Sequence, residues 1–208
     1  MSALKTETTN ERLILEAAED EFITKGYNGA KTTEIAKKAG VTHAMLHYYY
    51  RTKENLFQKV FQEKVRMIAN SFEVIFDDSL PLETIIRTFV EKHFDFVMEN
   101  EGLVNFVYNE VKANKENSIL LRNILLSKMT YVFGHFEKII ESEVSKGTIK
   151  PIKAMDLFAN IISLNLASSM FFSISGIIGS VHGFGYSEDL LKQRRENNVQ
   201  FILFSLRA

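Results

Sequence analysis

His43 and His47 stand four residues apart in a stretch, Thr42 to Lys53, that also holds Tyr48, Tyr49 and Tyr50. On a helix that spacing puts two imidazoles on one face, a geometry able to hold a metal ion. Here no carboxylate or third histidine falls at a useful offset, and Ala44 stands where a zinc-hydrolase motif has its glutamate. No metal is expected. The same side chains suit a second chemistry. His43 and Tyr48 can hydrogen-bond base edges or phosphates, and Ala44 is small enough for close approach or contact with a thymine methyl. A short helix carrying them fits a major groove about 12 Å wide. No Arg, Asn or Gln joins that face, so the strongest bidentate base readers are missing. Selectivity is expected from thymine methyls, shape and water, and affinity from phosphate contacts.

The rest of the chain offers no catalytic constellation. It has no cysteine, which excludes disulfides, thiolate metal sites and cysteine nucleophiles. No glycine-rich phosphate loop occurs, and the glycines between Gly176 and Gly185 read as a loop. Glu141, Glu143 and Glu196 fall on faces expected to be exposed. The protein is therefore not expected to be an enzyme or to need a cofactor. No basic, leucine-rich leader opens the sequence, so a reducing cytoplasm is the expected compartment.

The elements that must position these residues are helices. Two prolines in 208 residues leave little to interrupt them, and no alternating strand-and-turn rhythm appears. The fold class is all-α. Residues 1–10 read as a loose arm. Ile14, Ala17, Ala18 and Phe22 then mark one helical face ending near Gly26, which suits a left-handed cap. Ile35 and Ala39 anchor a short helix from about Thr32, stopped by Gly40. Thr42 can cap a third helix through Tyr50, with Leu46 and Tyr50 inward and His43, Ala44, His47 and Tyr48 outward. The second and third helices, joined by Ala39-Gly40-Val41-Thr42, make a helix-turn-helix. Longer helices follow: one from after Thr52 to about Asp78, then 82–99, 102–114, 117–146, 153–180 and 187–207. Residues 1–53 carry a slight excess of bases and the remainder a slight excess of acids. The expected division is a three-helix head, 1–53, and a larger helical ligand-binding and dimerisation domain, 54–208.

Leu157 to Ser187 contains no Asp, Glu, Lys or Arg. A membrane-spanning helix needs about 20 predominantly apolar residues. Asn160, Ser163, Asn165, Ser168, Ser169, Ser173 and Ser175 interrupt this one, so burial by its own domain and a partner is expected instead, without a membrane. Leu191, Asn198, Val199, Ile202 and Leu206 give the last helix an apolar stripe. Two such helices from each of two subunits would form a four-helix bundle. The expected interface residues are Leu164, Ser168, Phe171 and Phe172 on the first helix. On the second they are Leu191, Arg195, Asn198, Val199, Ile202 and Leu206.

The segments ERLILEAAEDEFITKGY and TTEIAKKAGVTHAMLHYYYRTKENLF closely resemble the DNA-binding head of the TetR (tetracycline repressor) family of bacterial regulators, over about residues 10–60. The resemblance implies a dimer that sets its third helix in the major groove of double-stranded DNA at a palindromic operator, and a small-molecule effector that releases it. Carried over by position, Thr42 caps the recognition helix. His43, Ala44, Met45 and Tyr48 face bases, while His47, Tyr49 and Lys53 face phosphates. Lys31, Thr32 and Thr33, at the start of the second helix, complete the contact set. Two positions depart from the family pattern. His47 replaces a usual Tyr, making its charge depend on pH. Lys31 replaces a usual capping Thr and opposes the helix dipole unless a phosphate lies near.

Phe and Leu, with Met in several helices, recur at helical spacing through the larger domain. A flat or long apolar effector is expected, lined by Phe72, Phe76, Phe96, Phe106, Met129, Phe133 and Phe136. His93, Tyr108, His135, Asn160 and Asn165 are the polar side chains expected to face inward. The competing reading is an all-α carrier or enzyme whose head binds a protein partner. A protein-binding helix would show Leu or Phe on its outer face. Lys31, Lys37, Lys38 and Lys53 around a small-residue tip favour a groove.

Overall fold

The computed structural model describes the backbone of residues 2–71, 80–182 and 187–208, with side chains there except those of 2–8, 129, 131–132 and 175–182. Nine α-helices are present among the described residues and no strand. They are α1 (Ser2–Gly29), α2 (Thr32–Lys38), α3 (His43–Tyr50), α4 (Lys53–Ser71), α5 (Leu82–Glu99), α6 (Glu101–Ala113), α7 (Lys115–Ser145), α8 (Ala154–His182) and α9 (Glu188–Leu206). Helix already begins at Ser2, so residues 2–10 are not the loose arm expected. The expected end of the fourth helix near Asp78 lies outside the described residues.

Two compact units emerge, residues 1–68 with 102–124 and residues 69–101 with 125–208. This division groups α4, α6 and the start of α7 with the head, whereas the sequence placed a functional boundary at Lys53. The reason is aromatic. Phe57 meets Phe22 edge-on at 5.1 Å, and Phe106 meets Phe57 and Phe61 at 5.9 and 6.0 Å. All four rings are buried. Each such burial stabilises by about 1.5–3 kcal/mol.

Within this unit Ile14, Ala18 and Phe22 of α1 pack with Ile35 and Ala36 of α2 and Leu46 and Tyr50 of α3, all buried. Gly26, at φ 66°, kinks α1 before its last residues, and Gly40, at φ 69°, makes the turn between α2 and α3. These positive φ values are accessible to glycine without a Cβ clash.

The second unit is built on one cluster. Ile86, Phe89 and Val90 of α5, Phe136 and Ile140 of α7, Leu157 and Ile161 of α8, and Val199, Ile202 and Leu206 of α9 are all buried together. Arg87 and Arg195 lace α5 to α9 at its edge: Arg87 pairs with Glu196 at 2.8 Å and Arg195 with Asp95 at 2.8 Å. The window Ala154–Ile174 of α8 is long and apolar enough to cross a membrane by length and composition, and a third of it is buried in the fold.

Candidate nucleic-acid interface

Three local devices present α3. Thr42 Oγ1 accepts from the Met45 amide at 3.2 Å, capping the helix as its residue type predicts. Leu46 and Tyr50 turn inward, and the Tyr50 hydroxyl donates to the Glu11 carbonyl at 3.3 Å. Burial pushes the Tyr50 phenol up. Thr52 Oγ1 accepts from the Asn55 amide at 3.1 Å and starts α4.

The opposite face of α3 is open. Thr42, His43, Ala44, His47 and Tyr48 are exposed, Tyr48 to 67%, while Met45 and Tyr49 are half-buried. Tyr48 and Tyr49 meet edge-on at 5.4 Å. The His43 and His47 rings do likewise at 4.5 Å. His43 Nε2 is 3.0 Å from the Thr32 hydroxyl, tying α3 to the start of α2. Thr33 is exposed beside it and Thr32 half-buried.

Lys31 is the N-cap of α2 and its side chain caps nothing. The acceptor comes from α1: the buried Glu21 carboxylate takes the Lys31 amide at 3.4 Å and the Lys25 ammonium at 2.7 Å. A carboxylate at a helix N-terminus also opposes the dipole penalty of the lysine. Glu21 thus anchors the start of α2 from another helix without supplying the missing threonine's cap, and the Lys31 side chain stays exposed. Of the other cations expected around the groove face, Lys38 pairs with Asp20 and Lys53 sits 4.6 Å above the Tyr27 ring. Lys37 is exposed. Tyr27 donates to Glu54, which raises its phenol, and burial raises Glu110 of α6 beside them.

Arg51 escaped the sequence reading. It is an exposed cation directly after α3, at φ 64° and ψ −54°. The Thr52 amide donates to the Tyr50 carbonyl across it at 2.6 Å, closing a γ-turn of the strained, positive-φ kind. Such a backbone costs about 1–3 kcal/mol and persists only where its surroundings enforce it. Its position between a tyrosine run and a capping Thr was visible in the sequence; its conformation was not.

A family profile described as bacterial regulatory proteins, tetR family, matches residues 14–60, the segment that builds this face. The chain belongs to the TetR family. It is similar to YdgC of Bacillus subtilis, an HTH-type transcriptional regulator, at 29% identity over 139 residues, 62% of this chain and 70% of that protein. The fatty acid metabolism regulator protein of B. subtilis is 23% identical over 150 residues, 71% of this chain and 77% of that one. The TetR fold extends through the whole chain. The crystal structure of FadR from B. subtilis, in complex with stearoyl-CoA, superposes with a TM-score of 0.59 at 18% identity, covering 93% of this chain and 98% of that one. This TetR-family protein is accordingly a DNA-binding transcriptional regulator.

Several expectations for its second unit need correction. Phe106 and Tyr108 belong to the first unit, Phe106 in its core and Tyr108 63% exposed. Asn160 is exposed rather than inward. Phe72 and Phe76, and the side chain of Met129, lie outside the described residues. Phe133 and Phe136 pack into the core around Phe158 and Phe89, and Phe96 and His135 are half-buried. His93 and Asn165 are buried, in a polar network. Asn165 Nδ2 donates to the Val90 carbonyl at 3.0 Å and lies 3.1 Å from His93 Nδ1. Asn198 Nδ2 donates to Asn165 Oδ1 at 2.9 Å and to Ser168 Oγ at 3.1 Å. Burial holds His93 down at about 4.

The expected interface stripe is also corrected. Ser168, Phe172, Asn198, Val199, Ile202 and Leu206 are buried within the protomer, and Leu164 and Leu191 half-buried. Arg195 is engaged with Asp95 and Glu91 of its own chain. Of the ten, Phe171 alone is exposed, at 63%. The open apolar surface shares only Phe171 with that stripe: it comprises Leu166, Met170, Phe171 and Ile174 of α8, with Leu190, Phe201 and Phe204 of α9.

Proposed function

We propose that this regulator is a homodimeric repressor that places α3 in the major groove of a palindromic operator. The observation that carries the reading is the outer face of α3, where small or hydrogen-bonding side chains stand exposed on a capped, rigid helix. His43, Ala44, Met45 and Tyr48 are the proposed base contacts. Lys31, Thr32, Thr33, Thr42, His47, Tyr49 and Lys53 are the proposed backbone contacts.

The second copy is proposed to seat on the outer faces of α8 and α9, where Met170, Phe171, Phe201 and Phe204 are each more than 60% exposed. Exposed apolar surface on this scale marks an interaction site. The proposed effector is a long apolar molecule bound in the second unit. A relative named for fatty acid metabolism and a fold neighbour holding stearoyl-CoA support an acyl chain.

The test is selection of bound duplexes from fragmented genomic DNA at physiological salt, where non-specific binding is weak. A shared palindrome is expected with the parent protein, and its loss or alteration with Tyr48→Ala. Recovery of no shared sequence would overturn the reading. Stearoyl-CoA is expected to release the recovered duplex; release by none of a series of acyl-CoA chain lengths would remove the effector class.

A further inference from the structure

The γ-turn at Arg51 points its carbonyl back along α3, where it lies 2.9 Å from His47 Nδ1. A carbonyl oxygen can only accept, so the hydrogen of this contact must sit on Nδ1. That fixes the tautomer. When His47 is neutral, its Nε2 carries a lone pair and no proton, and His47 is exposed. A backbone phosphate is itself an acceptor, so a neutral His47 would meet it lone pair to lone pair. The contact becomes a hydrogen bond only if Nε2 gains a proton and the ring becomes an imidazolium.

Among the described residues the surroundings of His47 give that charge no anionic partner. The His43 ring lies against the His47 ring at 4.5 Å on the same helix, and Arg51, a cation, follows the helix. Facing α3 from α2 is the neutral Thr32, bonded to His43, while Lys38 of α2 is paired with Asp20 of α1. Among the described residues no carboxylate pairs with His47. A phosphate would be the missing anion, and its arrival would draw the proton on.

We propose that His47 meets a backbone phosphate as the imidazolium, so that DNA binding takes up a proton there, with Arg51 as the positioning residue that holds the ring. The inference rests on the reading of α3 as the DNA-contacting helix. A tyrosine at position 47 would donate without any proton uptake, so the histidine converts a constant contact into one graded by pH. The sign follows from linkage: the bound state holds the extra proton, so affinity is highest at low pH and falls as pH rises.

The experiment is fluorescence anisotropy with the duplex recovered by genomic selection, at constant salt between about pH 6 and 8, the range in which histidine changes charge. The parent protein is expected to weaken with rising pH, by up to about tenfold per unit for each His47 engaged, and so up to about a hundredfold per unit for a dimer, where the free ring is neutral. His47→Tyr is expected to bind alike at both ends of the range and more tightly than the parent at the alkaline end. His43→Asn is expected to keep the pH slope whatever it does to affinity. Nitrogen-15 NMR of the free protein is expected to find the Nδ1–H tautomer at position 47. Binding by the parent that does not vary with pH, or a slope retained in His47→Tyr, overturns the proposal while leaving DNA recognition intact. Failure of the parent to bind the duplex at any pH overturns both.

Discussion

The head and the second unit are built from the same apolar alphabet, yet burial follows the helical pattern closely in one and departs from it in the other. In α2 and α3 each helix is short and carries a single apolar stripe, so Ile35, Leu46 and Tyr50 had one place to go and the remaining face stays open. In α8 and α9 apolar residues occupy two faces. Val199, Ile202 and Leu206 enter the protomer core, while Phe201 and Phe204 on the far side stay exposed. Periodicity identifies a stripe, but where two exist it does not say which one meets its own domain and which a partner.

The sharpest way to break this contrast is to mutate both sides of α9. Ile202→Ala should cost about 2–5 kcal/mol in a denaturant titration, as a buried aliphatic side chain is lost. Phe201→Glu with Phe204→Glu should leave the helical circular dichroism intact and shift sedimentation from dimer to monomer. The reverse pattern would mean that Phe201 and Phe204, not Ile202, form the core face of α9.

A comparably large effect is expected from acid. His93 is held near 4 by burial, against an ordinary histidine value of 6.5. Its unfolded form therefore binds a proton that the folded form refuses. Its contribution is fully present above about pH 6.5 and is lost progressively as pH falls toward 4, on the order of 3 kcal/mol across that window. Equilibrium unfolding at several pH values checks this, with His93→Gln expected to flatten the acid limb. An unchanged acid limb in that variant would show that the buried polar network of the second unit is not its pH-sensitive element. The head should respond least. Thr42→Ala removes one cap from α3 and should cost about 1 kcal/mol of stability, read by thermal melting.

The sites divide along the same line. The outer face of α3 was legible because Leu46 and Tyr50, four residues apart, fix its orientation. The cap at Thr42 was legible from residue type. The carboxylate that serves Lys31 was not, because Glu21 lies ten residues away on another helix. Nor was the γ-turn at Arg51, since nothing in an arginine announces a positive φ. Tyr108 and Asn160 were expected inward as polar side chains of an apolar domain and are exposed, because residue type alone does not say which side of a helix meets a neighbour.

What this sequence determined by itself was local: helices from apolar spacing, their ends from Thr and Gly, and a head recognisable from motifs at fixed offsets. Those properties depend on residues a few positions apart, where backbone geometry dictates who meets whom. The tertiary structure alone decided which apolar face of α9 is core, that His93, Asn165 and Asn198 satisfy one another, and that α6 packs its Phe106 on α4. Each of these joins residues far apart in the chain, and only the packing of whole helices brings them within reach.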